Sequence, residues 1–263
     1  MAAPDERDVS GAVSWASSCA VDGRMRSWVD LEGHPCVGGH RIGCDVMLWT
    51  ASLVLLRFLE ASALDWRTGR EGGPLRVLEL SAGAGHLAVG LARLGAHVTA
   101  TECSETHDRT AWRALHAWIA RLARLREGAA QPYAVGVRGG TLRTRMLDWG
   151  PGDGLGGAAR DEFDVVLLSE LVALGEELQG LLVETLGRLL GPRTVAFAIF
   201  VDRPFSLNFM WLLSWDASFI VERLEVKDRL GLCEDDEIYL YKITRPSSIP
   251  QAWRSETVVP PLA

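Results

Sequence analysis

Short apolar runs alternate with helical periods along the chain from residue 75 onward. The apolar runs predict strands at 76–80, 97–102, 144–147, 163–169, 194–201, 220–226 and 237–243. Between them, apolar residues spaced three and four apart predict helices at 85–94, 105–125, 176–190 and 207–214. This alternation is typical of βαβ units, and it predicts an α/β fold with a largely parallel sheet.

The pattern changes before residue 75 and again near residue 245. Residues 1–42 predict an N-terminal extension with a hairpin or an extended segment and turns at Gly33 and Gly38-Gly39. Residues 46–62 predict an amphipathic helix that packs on the sheet of the main domain, residues 43–245. Residues 246–263 contain four prolines and little periodicity, which predicts a poorly ordered tail.

The composition excludes several classes of protein. Hydrophobic residues at 48% and charged residues at 23% are typical of a globular chain, and no apolar run approaches a membrane span of about 18 to 20 residues. Five cysteines without a C-x-x-C pair favour reduced thiols in the cytoplasm or nucleus over disulfides or a metal site. A net charge of −7 argues against strong nucleic-acid binding.

A turn of small residues, "SAGAG" at 81–85, follows the first predicted strand of the main domain. Ligands of doubly wound sheets bind beyond the carboxyl ends of the strands, so this turn is a candidate binding site. Glu102 ends the next strand, where an acidic side chain accepts hydrogen bonds from ribose hydroxyls. Glu79, just before the turn, would repel a pyrophosphate and attract an ammonium group. Together these positions favour S-adenosylmethionine over a nicotinamide dinucleotide.

Four motifs carry a resemblance to a known family. They are "LWTASLVLLRFLE" at 48–60, "LELSAGAG" at 78–85, "LDWG" at 147–150 and "FDVVLLSELV" at 163–172. In this order they resemble the seven-strand S-adenosylmethionine-dependent methyltransferases, and residues 43–244 resemble the branch of protein-lysine methyltransferases that modify chaperones and elongation factors. The resemblance implies a Rossmann-like, mostly parallel sheet with an antiparallel last strand and helices on both faces.

The resemblance also implies roles for individual residues. The methionine end of the cofactor would contact the first strand, the turn and the fourth strand, through Glu79, Ser81, Gly83, Gly85 and Ser169. Glu102 would hold the ribose, Asp148 would accept a hydrogen bond from the adenine amino group, and Trp149 and Trp49 would pack beside the cofactor. A buried structural role for each tryptophan, and a turn or helix cap for Asp148, are the alternatives.

The chain departs from the family at its substrate corner, where the family carries Asp-x-x-Tyr or Asp-x-x-Phe. Here the residues are Glu170-Leu171-Val172-Ala173, so the acid is one methylene longer and the aromatic ring is absent. Glu170 is the candidate catalytic carboxylate, and an exposed strand-end carboxylate is its alternative. Phe200, Phe205 and Trp211 are candidates to supply a ring.

Three further features have structural explanations. The apolar helix 207–214 is expected to pack in the core, with a groove for a partner as the second interpretation. His86 and His107 are expected at the surface. Arg138, Arg143 and Arg145 predict a solvated loop or a local basic patch.

The leading hypothesis is a protein-lysine N-methyltransferase with a non-histone protein substrate, such as a chaperone or a translation factor. A methyltransferase-like binding module without a competent substrate corner and a small-molecule N-methyltransferase are the alternatives. A nicotinamide-dependent oxidoreductase is disfavoured by Glu79. No membrane partner is expected, and the oligomeric state stays open.

Overall fold

An eight-stranded sheet lies at the centre of the part of the chain that the structure describes. The computed structural model describes residues 39–41, 47–62, 64–69, 72–103, 105–126, 129–150, 162–172, 175–201, 206–216, 218–226 and 238–246. For the described residues within 39–50 and 105–110, the structure describes the backbone and not the side chains. The predicted turns at Gly33 and Gly38, and the predicted tail beyond residue 246, lie outside these residues.

The described residues form ten strands and five helices. The strands are β1 Gly39–Arg41, β2 Met47–Trp49, β3 Arg76–Leu80, β4 His97–Glu102, β5 Tyr133–Val135, β6 Gly140–Met146, β7 Val165–Ser169, β8 Val195–Val201, β9 Ile220–Leu224 and β10 Ile238–Thr244. The helices are α1 Thr50–Ala61, α2 His86–Leu94, α3 Glu105–Leu122, α4 Glu176–Leu189 and α5 Ser206–Trp215.

The sheet has the order β5-β6-β4-β3-β7-β8-β10-β9. The five strands from β6 to β8 are parallel, and β10 runs antiparallel between β8 and β9. The carboxyl ends of the parallel strands therefore lie at one edge of the sheet. The strand order reverses direction at β3, so the connections after β3 and β7 leave toward opposite faces, which is where doubly wound sheets bind ligands.

Helices cover both faces because side chains alternate along each strand. On β7, Val165 and Leu167 belong to a core cluster with residues of α1, α2 and α3, whereas Val166 and Leu168 pack in a second cluster with residues of α4 and α5. One layer of helices on each face explains why strands β3, β7 and β8 are buried at nearly every position. The predicted fold class, α/β with a mostly parallel sheet, an antiparallel last strand and helices on both faces, is confirmed, and the last described strand in the chain is β10.

Several predicted boundaries were wrong. Strand β6 begins at Gly140 and not at residue 144, and the antiparallel edge strand β5 was not predicted, because three residues of mixed polarity carry no periodic signal. The predicted helix 46–62 begins at Thr50, since Met47–Trp49 pairs with Gly39–Arg41 as a short antiparallel ladder. Among the described helices, none combines the length and apolar character needed to cross a bilayer.

Candidate functional site

The turn after β3 lines a cavity at the carboxyl edge of the sheet. The cavity has a volume of about 100 Å³. Pockets for drug-sized ligands have roughly 300 to 1,000 Å³, so this cavity matches one end of an adenosine-like ligand and not the whole molecule. Residues from α1, β3, the turn, α2 and the end of β7 line it: Ser52, Glu79, Ser81, Ala82, Gly83, Ala84, His86, Ser169, Glu170 and Leu171.

The turn has a left-handed backbone at three positions. The φ angles are 44° at Ser81, 56° at Gly83 and 72° at Gly85. A Cβ on Gly85 would lie 2.8 Å from Cγ1 of Ile119 on α3, so packing as well as backbone conformation requires glycine there. The Ala82 amide donates to the Thr101 carbonyl at 2.8 Å, which ties the turn to β4. The predicted turn therefore forms and brings backbone close to the cavity.

Glu79 is a buried carboxyl group beside this turn. Its side chain is 2% exposed, and Oε2 is buried without a hydrogen-bond partner among the described residues. The pKa of Glu79 is raised to about 8: burial raises it most, a hydrogen bond from the Ala88 amide in the first turn of α2 lowers it, and the nearby Glu102 charge raises it. A cation placed in the cavity would pair with Glu79 and lower this pKa.

Glu102 braces the turn, a role that the sequence did not reveal. Its Oε1 accepts a hydrogen bond of 2.9 Å from the Gly83 amide, and its Oε2 accepts one of 3.3 Å from the Cys103 amide. Its side chain is 7% exposed. Each carboxylate oxygen has two lone pairs and can accept more than one hydrogen bond.

Glu170 lies where the chain leaves β7. Its φ is 62°, and its Oε1 accepts a hydrogen bond of 3.1 Å from the Val201 amide at the end of β8. The alternative of a solvent-exposed carboxylate was wrong, since Glu170 is 9% exposed and lines the cavity. Ser169 shares a hydrogen bond of 2.8 Å with Ser52 in the first turn of α1, a polar residue that sequence reasoning missed.

Asp148 and Trp149 follow β6 at the same edge. The Leu147 amide donates to the Glu102 carbonyl at 2.8 Å, so Asp148 follows directly on the strand end that pairs with Glu102. Both Asp148 and Trp149 are half-buried, and Trp149 packs against the core cluster of α4 and α5. The Thr185 hydroxyl and the Arg188 guanidinium hold the backbone of Gly150 from α4, with bonds of 2.9 and 2.6 Å.

The structure brings some candidate residues to the site and not others. Phe200 was wrong as a candidate ring, because it is fully buried and stacked with Tyr239 and Tyr241. Trp211 is 67% exposed on α5, and with Leu212 and Trp215 it forms an exposed apolar surface, although Phe209 of the same helix is buried as expected. For Trp49 the structure describes only the backbone, which lies at the end of β2. Ala173, Phe205 and the His107 side chain lie outside the description.

His86 is buried, so its predicted surface position was wrong. It opens α2, lines the cavity and packs against Trp118 of α3, with 6.1 Å between ring centroids. Its exposure is 8%, and burial lowers its pKa to about 4. A polar residue at the start of the apolar segment "HLAVGLARL" was the signal that sequence reasoning passed over.

The candidate arginines do not form an unopposed basic patch. Arg143 and Arg145 lie 3.1 and 3.7 Å from Oε1 of Glu162, and the Arg143 Nε donates to the Thr99 hydroxyl. Arg138 is exposed in the turn before β6. Within the described residues, no cluster of three or more His, Cys, Asp or Glu side chains could hold a metal ion.

Comparisons with known proteins add structural neighbours of low sequence identity. No protein-family model matches the chain, and no curated protein matches it. Solved structures that match include a ribosomal protein L11 methylase from Lactobacillus delbrueckii subsp. bulgaricus, with 18% identity over 73% of this chain and 76% of that chain and a TM-score of 0.44.

Two further matches are methyltransferases as well. The glycopeptide N-methyltransferase MtfA in complex with S-adenosyl-L-methionine has 16% identity over 79% of this chain and 100% of that chain, with a TM-score of 0.48. An O-methyltransferase family protein from Burkholderia thailandensis has 16% identity over 74% of this chain and 56% of that chain, with a TM-score of 0.48. At such identities, the function has to be argued from the site itself.

Proposed function

We propose that this chain is an S-adenosylmethionine-dependent methyltransferase that methylates a side-chain nitrogen of another protein, with lysine as the acceptor. The observation that carries the proposal is the buried Glu79 carboxyl group, whose Oε2 has no partner among the described residues and which lines a cavity beside a left-handed turn of small residues. A buried carboxyl oxygen without a hydrogen-bond partner is costly, and a ligand ammonium group would remove that cost.

The residues at this edge fit the cofactor. Glu79 would pair with its ammonium group, and the turn of Ser81, Gly83 and Gly85 would surround the rest of its methionine end, beside Ser169. Glu102 would accept hydrogen bonds from the ribose. Asp148 would accept one from the adenine amino group, while Trp149 and Trp49 would cover the cofactor. The bound cofactor supplies a methyl group activated on a sulfonium.

Glu170 would orient the acceptor nitrogen and take a hydrogen bond from it. The nitrogen must be neutral to accept a methyl group, and a buried carboxylate can hold the proton that it gives up. The hydrogen bond from the Val201 amide holds this carboxylate against β8. Binding of the acceptor then costs less conformational entropy, because the carboxylate is already ordered.

A protein acceptor is supported by an exposed apolar surface on α5. Trp211, Leu212 and Trp215 on α5 are exposed, and exposed apolar groups of this size favour contacts with another macromolecule. The net charge of −7 suits a basic, lysine-containing segment. The resemblance at residues 43–244 points in the same direction, toward a chaperone or a translation factor.

Calorimetry with S-adenosylhomocysteine tests the cofactor site. The unmodified protein should bind it with micromolar affinity. Glu102→Ala should abolish binding, but it also removes the acceptor for the Gly83 amide, so it disturbs the turn. Glu102→Gln is the matched control, because its amide oxygen can keep that bond while the negative charge is lost. Absence of binding by the unmodified protein would refute the proposal.

Transfer of a labelled methyl group tests the acceptor class. Cell lysate is divided by ultrafiltration into proteins and small molecules, and each fraction is incubated with the enzyme and labelled S-adenosylmethionine. Label in protein that is recovered as methyl-lysine after hydrolysis supports the proposal. Label in the small-molecule fraction alone would favour the small-molecule N-methyltransferase instead.

A noncatalytic binding module is the second candidate, and one departure from the family favours it. The substrate corner 170–173 ends in Ala173, where the family carries an aromatic ring. Glu170→Gln separates the candidates, because an enzyme should lose methyl transfer by about 100-fold or more, in line with a general acid–base contribution. A binding module should show cofactor binding, no transfer and no change with the variant.

A further inference from the structure

His86 and Glu79 line the same cavity, and each has a buried polar atom without a partner. The atoms are Nδ1 of His86 and Oε2 of Glu79, and neither has a hydrogen bond within the described residues. Unsatisfied buried polar atoms are rare in native proteins, and a ligand is one explanation for them. Two such atoms at one cavity point to a ligand group with two polar ends.

The acidic side chains around the cavity suit the cationic end of such a ligand and not an anionic end. Among the described residues, Glu79 and Glu170 are the acidic groups that line it, and no lysine or arginine does. A zwitterionic amino-acid group would place its ammonium against Glu79. Its carboxylate would then need hydrogen-bond donors in the same small space.

The donors available to a carboxylate are few. The hydroxyls of Ser52 and Ser169 share one hydrogen bond, which engages one of their two O–H donors, and Ser81 and His86 are the other side-chain donors that line the cavity. His86 is the first residue of α2, and the amino terminus of this nine-residue helix favours an anion. Both the helix position and the unpartnered Nδ1 therefore favour an anion at His86.

We propose that His86 is a positioning residue that donates a hydrogen bond from Nδ1 to the α-carboxylate of S-adenosylmethionine, opposite Glu79 at the ammonium group. Contact with Trp118 holds the ring in place from α3, with 6.1 Å between the ring centroids. The low pKa of His86 keeps the imidazole neutral at physiological pH, so one ring nitrogen carries a proton and the tautomer with Nδ1–H supplies the donor. The inference rests on the proposed cofactor.

Variants at His86 test which ring atom acts. His86→Phe fills the space and keeps a ring beside Trp118, but it removes the donor, and it should weaken S-adenosylhomocysteine binding about 10- to 100-fold. His86→Asn carries an amide nitrogen near the position of Nδ1, and it should restore most of the affinity. His86→Gln carries its nitrogen near the position of Nε2, and it should not.

A comparison of several ligands distinguishes the loss of one hydrogen bond from a general change in folding of the variant. Affinities of the unmodified protein and of His86→Phe are measured by calorimetry for S-adenosylhomocysteine, decarboxylated S-adenosylmethionine and 5′-methylthioadenosine. The variant should lose affinity for the first ligand and keep that of the unmodified protein for the other two, which lack the carboxylate.

Each remaining outcome is decisive. Equal losses for all three ligands would assign His86 a structural role and overturn the inference. An unchanged affinity of His86→Phe for S-adenosylhomocysteine would also overturn it, while the proposed function would stand. No binding of S-adenosylhomocysteine by the unmodified protein would overturn both.

Discussion

Ser81 and Glu170 occupy backbone conformations that side chains with a Cβ rarely adopt. Their φ angles are 44° and 62°, and both residues line the cavity. A non-glycine residue in this region costs roughly 1 to 2 kcal/mol, and such strain concentrates at functional sites. Glycine adopts such a left-handed backbone without this steric cost.

Replacement of Ser81 by glycine should stabilise the protein. We expect Ser81→Gly to raise the free energy of unfolding by about 0.5 to 1 kcal/mol, because relief of the strain exceeds the added entropy of the unfolded chain. Urea denaturation measures the change. Ser81→Ala is the control, since it keeps the strain and removes the hydroxyl; equal stabilisation by alanine would show that the hydroxyl, and not the backbone, is responsible.

Glu79 should make the ligand-free protein sensitive to pH. Its pKa is raised from 4.5 to about 8, so the folded state holds the proton more tightly than the unfolded chain. Its contribution to stability is complete below about pH 4.5 and is lost as the pH rises to about 8. The loss cannot exceed about 1.4 kcal/mol per pH unit.

Glu79→Gln isolates this contribution. The free energy of unfolding of the variant minus that of the unmodified protein should increase between pH 5 and pH 8 and level off above about pH 8. Urea denaturation across this range provides the measurement. A difference that does not vary with pH would mean that Glu79 ionises in the folded protein at its ordinary pKa.

At the scale of elements, the amino terminus of α2 meets α3 beneath the turn. Gly85 precedes the helix with a φ of 72°, and a Cβ there would lie 2.8 Å from Ile119 and 3.2 Å from Leu115. Gly83 has a similar φ of 56°, but a Cβ there would meet nothing within 4 Å. Substitutions at the two glycines can therefore separate the cost of backbone strain from the cost of contact with α3.

The alanine variants of these glycines should differ in stability. We expect Gly83→Ala to cost about 1 kcal/mol through backbone strain. Gly85→Ala should cost about 2 to 4 kcal/mol, because the overpacked contact with α3 adds to the strain. Thermal unfolding of both variants provides the comparison. Equal costs would indicate that α3 shifts to admit the methyl group.

At the scale of the whole molecule, the parallel strands bring distant residues to one edge. Glu79, Glu102, Asp148 and Glu170 each lie at or near a different strand end, and the sheet order β6-β4-β3-β7 makes these strands neighbours. A ligand that spans them would join the whole edge of the sheet. Its binding should stabilise the entire folded chain.

S-adenosylhomocysteine at about 100 times its dissociation constant should add about 2.7 kcal/mol to the free energy of unfolding. A rise in the thermal midpoint with ligand concentration checks this prediction. NADH is the control, because Glu79 disfavours a pyrophosphate beside the turn. An equal rise with NADH would favour a dinucleotide-binding protein, and no rise with either ligand would contradict an adenosine site.

Much of the fold follows from patterns within single segments. The sequence located β3, β4, β7 and β8. Strands β7 and β8 are apolar at nearly every position, because both of their faces are covered. Periodicity failed for β5 and for the start of β6, which have one exposed side and pair as a short antiparallel ladder. It also failed at Met47–Trp49, where pairing with β1 replaces the helix that local propensity favours.

The sequence by itself determined the α/β class, the turn of small residues and the acidic residues at the strand ends, because these features depend on neighbours in the chain. Only the tertiary structure decided that Glu102 braces Gly83, that the Val201 amide restrains Glu170 and that His86 is buried. It also removed Phe200 from the site. These outcomes depend on which strand ends and helices become neighbours across the sheet, and burial then sets the hydrogen bonds and the pKa values of the groups that meet there.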